Sequence, residues 1–346
     1  MHPRLVDWSL FLLVAGALLS GFGSFLVGQP TGWWVFVLHG VVGLALLLVL
    51  VWKVRRVWPR VADRRHWDGA TAASLAALLA VGLALLSGVL WTTWQWPAAF
   101  PNGMWWHVTL GILLATFLLL HMATRFKPLR VSHLRGRRSM LRLIGAAGVG
   151  GLVWAGNQGF NALLATPGQR RRFTGSRQED ADFPVTMWMF DNPAPFDLAN
   201  WQLYVHGAVA TAQRLSYAQL AGLGVDELEA TLDCTSGWYS TRRWQGVRLD
   251  RLLAASQPTS AAIIVRLQSV TGYRWSLPLT EANAVLLATH VDGAPLQHGH
   301  GAPLRLVAPG RRGFQWVKWV TSVEVLTTVD YGQWGAIFFS GLLRGE

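Results

Sequence analysis

Four apolar runs occupy the first third of the 346-residue chain, at about 8–28, 33–52, 70–91 and 104–124. Each is about 20 residues long, the length of a helix that crosses the hydrocarbon of a bilayer, and none contains an acidic residue. In lipid the backbone must satisfy its own hydrogen bonds, which such segments do as helices. The runs therefore predict an all-α transmembrane bundle over residues 1–130. Composition agrees: 52% of the residues are hydrophobic, 14% are charged and the mean hydropathy is +0.30, too apolar for an ordinary soluble protein. Many of the 20 tryptophans flank the apolar runs, as in the aromatic belts of membrane proteins.

The net charge of +12 raises nucleic-acid binding as a function, but the placement of the charge argues otherwise. Arginines crowd "KVRRVWPRVADRRHW", after the second run, and "TRFKPLRVSHLRGRR", after the fourth, whereas "GQPTG" and "TTWQWPAAFPNG" carry no charge. Positive loops stay cytoplasmic, so the N-terminus and the end of the fourth span are expected inside. A fifth, weaker run at about 141–165 follows "GRRSMLR". The pair Arg137 and Arg138 looks like a twin-arginine signal within the chain, which would engage the twin-arginine export machinery; a positive flank to an ordinary helix is the plainer alternative. Residues 131–165 are thus expected to form a fifth helix, giving four to five spans, with everything after it outside the cytoplasm of a multi-pass inner-membrane protein.

Residues 166–182 read as a polar linker, and 183–346 as a separate domain. Strand-like runs ("WQLYVHG", "ELEATLD", "AIIVRLQSV", "PLRLVAP", "SVEVLTTV") mix with helical patterns ("SYAQLAGL", "LDRLLAAS", "LTEANAVLLA") in no regular alternation, which predicts an α+β fold. No internal repeat is expected along the chain.

Ionisable residues inside spans are expensive and usually functional. His39 lies in the second run; His107 and His121 lie in the fourth, fourteen residues apart. That spacing returns to within about 40° of one helix face after a rise of about 21 Å. His39 and His107 stand at matching depth, as two imidazole ligands of one haem must, and Gly40, Gly43 and Gly111 beside them leave room for a flat macrocycle. Fourteen residues after His39 stands Lys53, so His121 lacks an equivalent partner; His66, before the third span, is the remaining candidate. One haem b is expected, a second is left open, and isolated packing histidines are the alternative. The arrangement resembles the four-helix membrane cytochromes b, which implies electron exchange with the quinone/quinol pool.

Cys234, in "TLDCTSGWYS", is the only cysteine. A lone thiol is a small hydrophobe, a nucleophile or a metal ligand; its place at a strand end, before small polar residues, displays it. The continuation carries Trp238, Trp244, Gly246, Val247 and Leu249 in the pattern W-x-G-V-x-L, and "VTGYRWSLPL" and "LLATHVDGAPLQHGHGAPLRLVAPGRRGFQWVKWVTSVEV" follow in order. From about 183 to 330 the chain resembles the sulfite oxidase family of molybdenum enzymes. The resemblance implies that Cys234 holds molybdenum beside a pterin dithiolene. It further implies that Tyr273 is an active-site tyrosine, and that Asn192, His300, Arg305, Arg312 and Lys318 bind molybdopterin. A pterin phosphate needs cationic donors and free N–H groups, and "PGRRGF" offers both. Two departures weigh against sulfite as substrate. Asp191 stands where sulfite oxidases carry an arginine, and the chain stops soon after the molybdenum domain, an architecture closer to the family's bacterial periplasmic sulfoxide reductases.

These readings combine into a membrane-anchored molybdopterin oxidoreductase that reduces a small-molecule or protein S-oxide or an N-oxide outside the cytoplasm. Sulfite oxidation is the alternative reaction, and a non-catalytic haem protein with a docking domain is the alternative class.

Overall fold

The computed structural model describes residues 3–94, 102–126, 128, 137–179, 184–188 and 190–342, with the backbone alone at 137–140, 142 and 143. The chain divides into two compact units, 1–178 and 179–346.

The first unit is helical. α1 (Pro3–Ser24), α2 (Trp33–Ala62), α3 (Thr71–Thr93) and α4 (Gly103–Arg125) are four helices long and apolar enough to cross a membrane. α1 packs on α2 and α3 on α4, around Val14, Leu46, Ala80, Val81 and Leu114. Leu19, Leu79 and Leu119 are instead 73%, 63% and 69% exposed, an apolar surface that water would penalise and lipid would not. Helix α2 runs past its apolar stretch to include Arg55, Arg56 and Pro59. Helix α5 (Arg137–Leu163) packs on α2: Trp154 lies against Gly40, and Gly150 against the backbone of Val41 and Ala45. Residues 131–136 of the expected fifth helix, and the side chains of Arg137 and Arg138, lie outside the described residues.

The two hairpins repeat one another, contrary to the expectation from sequence. "ALLSG" occurs at 17–21 in α1 and again at 84–88 in α3. Val14 and Val81 lie three residues before these segments in equivalent core positions, as do Leu46 in α2 and Leu114 in α4. The signal is hidden because apolar helices share most of their residues for composition alone.

The expected linker is not free. Trp91 Nε1 donates to the Gly175 carbonyl at 3.0 Å, the Arg177 guanidinium lies 4.4 Å from the Trp91 ring, and Gly168 seats against the Thr92 carbonyl. Residues 167–178 therefore belong to the helical unit, because Trp91 at the end of α3 offers an aromatic face for a cation.

The second unit is α+β. One sheet places β3 (Asp226–Asp233) on β4 (Trp238–Arg248), β4 on β7 (Leu286–Val291) and β7 on β8 (Arg305–Val307), all antiparallel. The other runs in the order β2 (Gln213–Ser216), β1 (Gln202–Gly207), β9 (Val320–Leu326), β5 (Ile264–Ser269) and β6 (Arg274–Pro278). In it β9 is parallel to β1 and antiparallel to β5. Alternate residues of these strands, among them Leu203, Val205, Val265, Leu267 and Val323, are fully buried, the period-two pattern of a strand with one inward face.

Helices α6 (Tyr217–Gly222) and α7 (Leu249–Ser256) form where expected, α6 under a capping box of Ser216 and Gln219. "LTEANAVLLA" does not form one helix. A six-residue 3-10 helix spans Leu279–Ala284, and Leu286 opens β7, since a short apolar run buried on both faces suits a central strand as well as a helix.

The W-x-G-V-x-L residues are architectural. Trp244, Val247 and Leu249 are buried, and Gly246 lies where a Cβ would stand 2.0 Å from the Leu287 carbonyl oxygen. Gly246→Ala is expected to force β4 from β7 and destabilise the domain by about 1–3 kcal/mol or more, read from the midpoint of chemical unfolding; an unchanged midpoint contradicts this packing.

Candidate functional site

Cys234 follows the last residue of β3 and opens a turn into β4. Its N–H donates to the Trp238 carbonyl at 2.8 Å, and Gly237 N–H returns to the Cys234 carbonyl at 3.1 Å. The turn needs φ +93° at Gly237, a conformation that glycine adopts without a Cβ penalty. The thiol is 9% exposed. Its Sγ lies 3.1 Å from Ser236 Oγ and 3.4 Å from Thr186 Oγ1, and it opens on a cavity lined also by Trp238, His300, Arg305 and Lys318.

Below the thiol lies a buried ion pair. Arg312 Nη1 donates to Asp233 Oδ1 at 2.7 Å, with both side chains at most 4% exposed, and Nη2 reaches the Cys234 carbonyl at 3.3 Å. Gly313 closes the contact, where a Cβ would stand 3.1 Å from Cys234 Cα. In this structure both arginines of "PGRRGF" have carboxylate partners. Arg312 is held by Asp233, and Arg311 makes two bonds to Glu281, at 2.6 and 2.7 Å. Both guanidiniums are neutralised by carboxylates from distant segments. Asp233, which the sequence reading passed over, is the residue that holds Arg312 as a support for the cysteine.

His300, Arg305 and Lys318 do line the cavity with Cys234. Arg305 is 2% exposed, donates to the His300 carbonyl at 2.8 Å and lies 5.2 Å from the Trp244 ring. Its Nε has no protein acceptor, and burial pulls the guanidinium down to about 9. Lys318 Nζ donates to the carbonyls of Thr186 and Gly299, at 2.8 and 2.5 Å. Burial, followed by the Arg305 charge, pulls it down to about 7.

Tyr273 points elsewhere. Its hydroxyl donates to the Phe314 carbonyl, in the turn that backs Cys234, and burial pushes it well above the ordinary phenol value. Asn192 is exposed and is not among the cavity residues. Its neighbour Asp191 is 6% exposed, with one carboxyl oxygen lacking a protein partner, and burial raises it above the ordinary carboxylate value.

The cavity fits a metal on a pterin. A thiol suits a soft metal once deprotonated, and the unmatched Arg305 Nε is a buried donor aimed at no protein acceptor. Three basic side chains and no carboxylate stand among its described lining residues, the complement of a phosphate-bearing anion.

The helical unit brings His39 and His107 together, with ring centroids 5.9 Å apart and planes 88° apart. Two imidazoles bound through nitrogen at about 2 Å on opposite sides of one metal place their centroids about 6 Å apart. Each ring is clamped in the same way. His39 Nδ1 lies 2.9 Å from the Ala17 carbonyl and 3.1 Å from Ser20 Oγ; His107 Nδ1 lies 3.0 Å from the Ala84 carbonyl and 3.2 Å from Ser87 Oγ. An Nδ1–H held by a carbonyl leaves Nε2 as the metal-binding nitrogen. The residues fit a bis-histidine haem. The glycines that admit the rings are Gly21 and Gly88, where a Cβ would stand 3.2 and 3.1 Å from the imidazoles. Gly40, expected to make room for a macrocycle, instead makes room for Trp154, at 2.8 Å from its missing Cβ.

His121 Nδ1 is held by Ser74 Oγ at 2.8 Å. His66 is not brought to it. That side chain sits in a turn against Asp63 at 3.2 Å and is 61% exposed, because Arg64–His66 form a tight turn after α2 ends.

Two predictions follow from this geometry. Arg312→Ala leaves the Asp233 carboxylate buried without its cation, with an expected loss of about 3–5 kcal/mol. Arg312→Met with Asp233→Leu is expected to recover much of it; unfolding midpoints that do not separate the two variants contradict the pairing. Lys318 contributes a pH dependence of definite sign. The unfolded chain keeps that proton up to about 10, while the folded chain releases it from about 7. The unfolded state therefore binds more protons in between, and stability rises with pH across the window. In molybdenum-depleted protein, Lys318→Met is expected to flatten the rise in unfolding midpoint from pH 7 to 10; an unchanged slope contradicts it.

Residues 190–334 match the oxidoreductase molybdopterin binding domain. The chain is 30% identical over 234 residues to the protein-methionine-sulfoxide reductase catalytic subunit MsrP of Xanthomonas axonopodis pv. citri, covering 58% of this chain and 73% of that protein. To the MsrP of Xanthomonas campestris pv. campestris it is 32% identical over 155 residues, 40% of this chain and 48% of that one, so the match spans about half of that relative's length. Mitochondrial sulfite oxidase of Rattus norvegicus is 37% identical over 115 residues, 30% of this chain and 21% of the enzyme. With a thiol, three basic side chains and a molybdopterin-domain match converging on one cavity, the chain belongs to the sulfite oxidase family of molybdopterin oxidoreductases.

Proposed function

We propose that this chain exchanges electrons between the quinone pool and a substrate outside the cytoplasm, through a haem b held by His39 and His107, and that it reduces an S-oxide or N-oxide. The observation that carries the catalytic half is the Cys234 thiol opening on a cavity with His300, Arg305 and Lys318. Cys234 would hold molybdenum, with the basic side chains of Arg305 and His300 in the same cavity as donors to the pterin and its phosphate. Bound molybdenum supplies two-electron oxygen-atom exchange, and haem supplies one-electron transfer.

Reduction of an S-oxide takes two electrons and two protons and releases water. Lys318, drawn down to about 7, holds a transferable proton near neutral pH beside Cys234. Trp238 and Leu232 wall the cavity with apolar surface that limits water around the thiol. Tyr273 positions the turn behind Cys234 through Phe314.

The names of the MsrP relatives support reduction of a sulfoxide. One observation favours the second reading, sulfite oxidation. The cavity is basic, and burial raises Asp191, which weakens the repulsion of an oxyanion that the sequence suggested. In this account α1 to α4 are spans, the N-terminus is cytoplasmic, α5 crosses as a fifth span, and the pair Arg137 and Arg138 directs the folded, cofactor-loaded domain across the inner membrane.

The test is metal and haem analysis of purified full-length chain beside Cys234→Ser. Wild type is expected to hold molybdenum and haem b, and the variant to lose molybdenum and at least a hundredfold in S-oxide reduction while keeping its haem. Wild type without molybdenum, or a fully active variant, overturns the proposal. Faster reduction of the haem by sulfite than reoxidation by S-oxides selects the second reading.

A further inference from the structure

The two helical hairpins repeat one pattern of histidine clamps, and that pattern departs at one pair of positions. The offset is 67 residues between α1 and α3 and 68 between α2 and α4. It carries Ala17, Ser20 and Gly21 onto Ala84, Ser87 and Gly88, and His39 onto His107. The equivalent residues make equivalent bonds at this first level: histidine Nδ1 to the alanine carbonyl and to the serine hydroxyl.

A second level lies fourteen residues along α2 and α4, a rise of about 21 Å. On the α3–α4 side it repeats the serine contact of the first, with His121 Nδ1 2.8 Å from Ser74 Oγ. The same offsets carry Ser74 back onto Asp7 and His121 back onto Lys53. These two residues are also bonded to each other: Lys53 Nζ lies 2.6 Å from Asp7 Oδ1, and Arg56 Nη2 lies 2.5 Å from the same oxygen. Both members of one serine–histidine clamp are thus replaced together, by a carboxylate and an ammonium that match.

We infer that this chain holds a single haem, at His39 and His107, and that the Asp7–Lys53 ion pair fills the place where a second bis-histidine haem would find its ligand. A protonated lysine has three donors and no lone pair for iron. Asp7 Oδ1 holds the lysine and Arg56 together, so the lysine is bound into an ion pair on the side of the bundle that lacks a second histidine. His121 keeps its clamp but has no histidine opposite in the repeat. The inference rests on the haem reading above.

Haem per chain, measured on purified full-length protein as the pyridine haemochrome, tests it, with ferric low-spin resonances as a second readout. Wild type is expected to carry one haem and one resonance, and His121→Ala to carry the same. Asp7→Ser with Lys53→His restores the second clamp and is expected to raise haem content twofold. Two haems in wild type, a loss of haem in His121→Ala, or a double variant that keeps the first haem and gains none overturns the inference. If the double variant does not fold, His121→Ala decides alone. A wild type without haem, or His39→Ala with unchanged haem, instead removes the haem reading on which the inference rests.

Discussion

The catalytic half of this molecule depends on one buried contact, the ion pair between Asp233 and Arg312. Two charges removed from water are costly unless their geometry is good and their remaining donors are used. Here the second guanidinium arm reaches the Cys234 carbonyl, so the pair is also a fixture for the cysteine turn. Gly313 brings the backbone of the same segment against Cys234 Cα, and Tyr273 ties down the next residue, Phe314. A thiol at a strand end would otherwise sit on a mobile turn; this one is braced by the sheet before it and by a loop from late in the chain. Rigid support of this kind is what a ligand to a redox metal needs.

The helical half shows the same logic in lipid-suited form. A carbonyl and a serine from the neighbouring helix fix each imidazole of the pair. The repeat makes the two halves of the bundle equivalent in core and clamp alike, and the departure at Asp7 and Lys53 is legible only against that equivalence.

How much was readable from residues alone depended on where the information lay. Helix positions followed from apolar length, and Cys234, His300, Arg305 and Lys318 were placed in one site through the order of their motifs. The pairing of His39 with His107 followed from depth. The bracing of the cysteine turn by Arg312 was not legible because its partner Asp233 is far away in sequence and was masked by its neighbour Cys234. β4 was missed although Trp238, Ser240 and Trp244 recur on its buried face, because arginines and threonines interrupt the pattern. The hairpin repeat was missed because five shared residues weigh little among helices rich in leucine, alanine and valine.

The central claim is that electrons pass between the bis-histidine haem and the Cys234 cavity. It is tested most directly by reducing the haem of the full-length protein with a quinol, removing excess reductant and adding an S-oxide while the haem absorbance is followed. The account predicts reoxidation that depends on the S-oxide and disappears in Cys234→Ser. A haem that stays reduced in wild type, or that reoxidises equally in the variant, contradicts it.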